Sequence, residues 1–183
     1  MPQLDPAEEK RLKSELFLID PDSYGPNFHE HLLEMYKVYM EMADHVSQRR
    51  DSANNFFVTL NSAIIALIGI VASILTSSII LKFCWVVVIS VTGIIICVRW
   101  RDIIQSHKDL NSGKFVIIHM LEEKLPATLY KTEWSYLNPP IGRKRYKSLT
   151  LAELQVPLVF IGLYTLIMSI CIVLILFFRS LLV

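Results

Sequence analysis

Charge is missing from long parts of this sequence. No Asp, Glu, Lys or Arg occurs from Phe56 to Thr76, from Phe83 to Val98 or from Val156 to Phe178. Only 19% of the 183 residues are charged, 53% are hydrophobic and the mean hydropathy is +0.45. The first and third of these charge-free runs, 21 and 23 residues long, exceed what a soluble core helix needs and match a bilayer core of about 30 Å at about 1.5 Å per residue, and the second, with Ile79 to Leu81 at its edge, comes close. Cysteine is scarce as well. Cys84, Cys97 and Cys171 all lie inside apolar runs without CxxC spacing, which excludes a disulfide framework or thiolate metal site and leaves small buried hydrophobes. There is no phosphate-cradling glycine loop, nucleophile elbow or kinase motif set, so the sequence reads as non-enzymatic, with no cofactor and no metal. The net charge of +1 gives no reason to expect nucleic acid as a partner. The N-terminus, MPQLDPAEEKRLKSELFLID, is too charged for a signal-peptide core, so the first true span has to direct insertion.

What is present defines an all-α integral membrane protein. It has three transmembrane helices, a tight hairpin plus a C-terminal span, with a cytoplasmic helical domain. The expected divisions are an irregular or short-helix segment 1–26, an amphipathic cytoplasmic helix 27–55, and a hairpin 56–98 (about 56–76 and 80–98). A cytoplasmic helix and basic loop 99–154 and a third span 155–179 follow. Arg49 and Arg50 precede span one, Arg99 and Arg101 follow span two, and Arg143, Lys144, Arg145 and Lys147 precede span three. The other side has only Lys82 and Arg179. By the positive-inside bias, both soluble segments face the cytoplasm and the C-terminus lies outside. The basic cluster Arg143–Lys147 is a membrane-surface candidate for anionic lipid. Trp85, Trp100, Trp134 and Tyr146 are candidate interface aromatics.

Pro21 and Pro26 bracket a turn-like DPDSYGPN, before which Lys10 to Ile19 suits one short helix. From Asn27, apolar residues recur at Phe28, Leu32, Met35, Tyr39, Met42 and Val46, a 4-3-4-3-4 seam suited to packing between helices. No Gly or Pro interrupts 27–67, so this helix runs into span one. Span two is likewise expected to continue as a helix to Pro126, with a kink where Gly113 follows Asn111 and Ser112, and 127–150 reads as irregular. Residues 1–55 carry eleven acids against six bases and 99–153 carry ten bases against six acids, which suits docking of one segment on the other. His29 and His31 sit about 200° apart on a helix and share no face. His119, Glu122 and Glu123 form at most half of a metal site and read as solvated surface.

The polar residues of span one are Thr59, Asn61, Ser62, Ser73 and Thr76. An amide in hydrocarbon needs a partner. Asn61 is therefore either an interhelix hydrogen-bonding group or the lining of a water-filled path, and Thr59, Ser62 and Ser73 share that choice.

Three stretches, YKVYMEMADHVSQRRDSANNFFVTLNSAIIALIG, DLNSGKFVIIHMLEEKLPATLYKTEW and LTLAELQVPLVFIGLY, together resemble the RipA-type octameric membrane proteins of bacteria. The resemblance implies a bacterial inner-membrane location, three spans and a ring-like homo-oligomer of eight, with no defined reaction. It maps recurring positions onto Tyr36, Tyr39, Ala43, Asp44, Arg49, Arg50, Asn54, Phe56, Leu60 and Asn61. Further along it maps them onto Leu110, Asn111, Lys114, Phe115, Ile118, Glu122, Leu125, Pro126, Glu133 and Trp134. Asp44, Arg49, Arg50, Asn54, Glu133 and Trp134 thereby join the seam residues as candidates for cytoplasmic or oligomer packing. The expected role is a scaffold whose cytoplasmic helices dock an unknown protein. The competing role is a channel or pore-forming effector lined by span one.

Overall fold

The computed structural model describes residues 5–74, 79–139 and 149–180. The order is α1 (Pro6–Leu16), α2 (Pro21–Tyr24), α3 (Phe28–Ile74), α4 (Ile79–Glu122), α5 (Leu129–Leu137) and α6 (Leu149–Ser180), with no strand among the described residues. Three of these helices, α3, α4 and α6, are long and apolar enough to cross a membrane.

Local chemistry sets the helix ends. Pro6 occupies the first turn of α1, where a missing N–H costs nothing, with Glu8 and Glu9 at the positive end of the helix dipole and Lys13 in the last turn. That start signal lies four residues ahead of the expected helix from Lys10 to Ile19. The helix begins at Pro6 and ends at Leu16, leaving Leu18 and Ile19 exposed. At α2, Pro21 follows Asp20, whose carboxylate accepts the Asp22 N–H at 3.0 Å. Gly25, at φ +98°, turns the chain before α3 in a conformation that side chains disfavour.

α3 runs 47 residues without a break, past Gly69, and α4 runs 44 residues straight through Asn111–Gly113. α4 stops at Glu122, four residues before Pro126, and closes with turns in which the Lys124 and Leu125 amides bond Leu121 and Glu122. The stretch 127–150 is not wholly irregular: α5 occupies Leu129–Leu137. α6 contains Pro157, which is fully buried and cannot donate to the Glu153 carbonyl one turn back.

The chain forms two compact units. The first comprises 1–49 and 107–147 and holds most of the charge. Its core is Leu32, Ala43 and Val46 of α3 with Val116, Ile118, Met120 and Leu121 of α4. Lys114 lies over the Tyr39 ring at 4.4 Å, and Phe115 packs on Tyr130 with ring centres 5.8 Å apart. The second unit comprises 50–106 and 148–183 and holds the three apolar runs. Ile68, Val86, Cys97, Tyr164 and Cys171 form its core. Trp100 is buried within it, stacked on Phe57 at 5.7 Å and tilted against Phe160 at 6.1 Å, with its indole N–H donated to Asn54 Oδ1 at 2.9 Å. Trp100 is thus an interior residue here, because Asn54 supplies the partner an indole needs when buried, whereas Trp85 is exposed.

Candidate functional site

Two polar centres organise the chain, one in each unit. In the second unit the centre is Asn61, which has no exposed surface. Its Nδ2 donates to the Phe57 carbonyl at 2.8 Å, one turn back on α3. Its Oδ1 accepts from the Cys97 thiol of α4 at 3.1 Å and from the Tyr164 hydroxyl of α6 at 3.1 Å. That hydroxyl also lies 3.2 Å from the Asn61 carbonyl. One side chain therefore ties all three long helices, and its amide is enclosed by its own chain. Thr59, Ser62 and Ser73 are exposed on the same helix, and each hydroxyl bonds a carbonyl of its own helix, at Asn55, Val58 and Ile70. Such back-bonding satisfies a hydroxyl in lipid without a neighbour. Thr76 lies outside the described residues.

Arg50 and Glu153 form a second tie in this unit, joining α3 to α6 with Nε 3.4 Å from Oε2 and side chains only 15% and 14% exposed. The geometry gives an ion pair and no hydrogen bond between those two atoms. Asp44, which shares the helix with Arg50, instead accepts from Gln48 at 2.8 Å.

In the first unit the centre is Glu122, the last residue of α4, with no exposed surface. Its carboxylate accepts the Tyr36 hydroxyl at 3.1 Å and the backbone N–H groups of Tyr130 and Lys131 at 2.9 and 3.0 Å. Those amides open α5, so Glu122 caps that helix from outside and places its charge at the positive end of the dipole. Burial first, and the bond to Glu122 second, push the Tyr36 phenol above its ordinary range. Glu123, next in the chain, turns to Lys13 of α1 at 2.7 Å and to Lys131 of α5 at 2.9 Å. With Glu122 and Glu123 so engaged, they do not converge with His119 on one point. Among the described residues no group of three His, Cys, Asp or Glu is placed to hold a metal ion.

These pairings carry a pH dependence. The Lys13 hydrogen bond holds Glu123 below the usual carboxylate value of 4.5. Burial holds His119 below 6.5. Each depressed value means stability that is complete above the unfolded pKa and is lost as pH falls towards the folded one. Acidification from pH 6.5 to below 4.5 should therefore loosen the first unit in two steps, His119 first. Hydrogen exchange of the α1 amides should accelerate in the second step, and Lys13→Met should uncouple α1 from that step and shrink it, Lys131 still holding Glu123.

Of the seam residues, Leu32 and Val46 are buried, Phe28 and Tyr39 are half-buried, and Met35 and Met42 are exposed. The buried stripe of α3 in this unit runs through Leu32, Tyr36, Tyr39, Ala43 and Val46, while Met35 and Met42 share an outer stripe with Val38. Arg49, Glu133 and Trp134 are exposed. Arg143, Lys144, Arg145 and Lys147 lie outside the described residues. Sequence reasoning passed over Glu153, Tyr164 and the capping role of Glu122. The signals were an acid at the head of an apolar run, a lone tyrosine within one, and an acid ahead of a proline-containing turn.

A helical protein with three such spans and polar ties between them is by class a multi-pass membrane protein. The family model of the octameric membrane protein family, 8xMP, matches residues 33–177, and the chain belongs to that family. No curated protein and no solved structure matches the chain.

Proposed function

We propose that the protein is a non-enzymatic scaffold of the bacterial inner membrane, assembled as a ring of eight copies. The first unit would lie on the cytoplasmic side as the platform for a protein partner. Membership of an octameric family supports the assembly. The bias of Lys and Arg toward the ends of the apolar runs supports an inward-facing N-terminus and an outward-facing C-terminus. The observation that carries the scaffold role is the engagement of Asn61: the most polar side chain of span one holds its own chain together. The basic residues 143–147 are suited to anionic lipid.

The second reading is an oligomeric channel lined by α3. The exposure of Thr59, Ser62 and Ser73 favours it, since a path between copies needs polar groups on the outside of each chain. Ion flux through purified protein in proteoliposomes separates the two. The scaffold should give flux no greater than empty vesicles. Flux that falls with Ser62→Leu at unchanged oligomer mass would make it a channel.

A further inference from the structure

The first unit leaves two apolar surfaces uncovered. On α3, Met35, Val38 and Met42 are 60%, 55% and 49% exposed, and their 3-4 spacing aligns them with exposed Arg49 on one stripe. On α5, Leu129 and Tyr136, 67% and 64% exposed, line an open groove together with Thr132 and Glu133. Arg49 and Glu133 pair with no charge among the described residues, whereas Lys13, Lys37, Glu123 and Lys131 all do.

Symmetry decides what meets what. A multi-pass chain inserts in one orientation, so every symmetry axis of its assembly lies along the membrane normal, and eight equivalent copies would close as a cyclic ring. Neighbours in such a ring meet head to tail, one patch against an unlike patch. Two different apolar patches, one with an unpaired cation and one with an unpaired anion, fit that requirement. Pairing like with like would set Arg49 on Arg49. The two-turn repeat Met35–Met42–Arg49 matches the two-turn spacing Leu129–Tyr136, and methionine adapts to an irregular groove. Exposed acids Glu34 and Glu41 flank the α3 stripe and would repel an anionic bilayer.

Resting on the octameric reading, we infer that the Met35–Val38–Met42–Arg49 stripe of one copy seats in the α5 groove of its neighbour, with Arg49 facing Glu133 of that neighbour. The test measures native mass of detergent-solubilised protein. Arg49→Glu and Glu133→Arg alone should each cut the octamer fraction roughly tenfold or more, because the repulsion repeats at every interface of the ring. The double variant should restore it. As a second measurement, a chain carrying Val38→Cys is co-expressed with a differently tagged chain carrying Thr132→Cys, both with Cys84→Ser. Oxidation should give the mixed dimer in preference to either like dimer. Full octamer in both single variants with no mixed disulfide overturns the inference while leaving the octamer standing. Variants that change the amount of anionic lipid copurifying with the protein but not the octamer fraction assign the stripe to lipid and overturn it as well. A wild-type protein that is not octameric overturns the assembly reading itself.

Discussion

Replacing Glu122 with alanine should unfold much of the first unit while leaving the three spans inserted. The carboxylate receives two α5 amides and the Tyr36 hydroxyl with no solvent access. Removal strips a helix of its cap, which costs about 1 kcal/mol in ordinary cases. It also takes the charged acceptor from the half-buried Tyr36 hydroxyl, about 1.5–3 kcal/mol more. A loss of roughly 3 kcal/mol is expected, a large share of the stability of a small unit. Glu122→Gln should recover part of it, since an amide oxygen accepts but carries no charge for the dipole. The measurement is chemical denaturation followed at Trp134 fluorescence, with Tyr36→Phe alongside. Tyr36→Phe removes one bond of the three and should cost about 1 kcal/mol. If Glu122→Ala left the Trp134 transition unchanged, α5 would be held by its apolar contacts, and the cap would be incidental.

The same residue shows how much of the structure could be read in advance. The three spans were legible because exclusion of charge over some twenty residues has few other physical causes. Continuity of α3 was legible because nothing between Asn27 and Leu67 breaks a helix. α5 was not legible. Its sequence LYKTEWSYL is only nine residues long, and its first turn is capped by a residue seven positions upstream instead of by Thr128, whose side chain makes no cap. Non-local capping leaves no local signal. Asn61 was legible as a polar group needing a partner, but its partners Cys97 and Tyr164 sit 36 and 103 residues away. Spacing along one helix does not identify them. The seam on α3 was legible as an apolar surface and divides in the folded chain. Its Leu32 and Val46 face inward, while Met35 and Met42 face out. A 3-4 pattern broad enough for two stripes carries no mark of which stripe the chain itself covers.

Gly93→Ala should be the most disruptive single methyl group in the spans. A Cβ at Gly93 would stand 2.5 to 2.8 Å from three carbons of the Tyr164 ring, well inside contact distance. The ring has little freedom to retreat, because its hydroxyl is held at Asn61. Moving the ring breaks that bond, worth about 0.6 to 1.7 kcal/mol between helices in a membrane. Repacking around an overfilled contact adds about 1–3 kcal/mol. Together these give roughly 2–4 kcal/mol, measured as lost resistance to SDS unfolding in bicelles. Two double variants separate the steric cause from the polar one. Gly93→Ala with Tyr164→Leu removes the ring and should cost less than the sum of the single changes. Gly93→Ala with Tyr164→Phe keeps the ring and removes only the hydroxyl, so the clash persists. The phenylalanine is untethered and can shift, so a small relief is expected, well short of that given by leucine. Equal rescue by both would mean that the tether to Asn61, and not the volume of the ring, makes Gly93 irreplaceable.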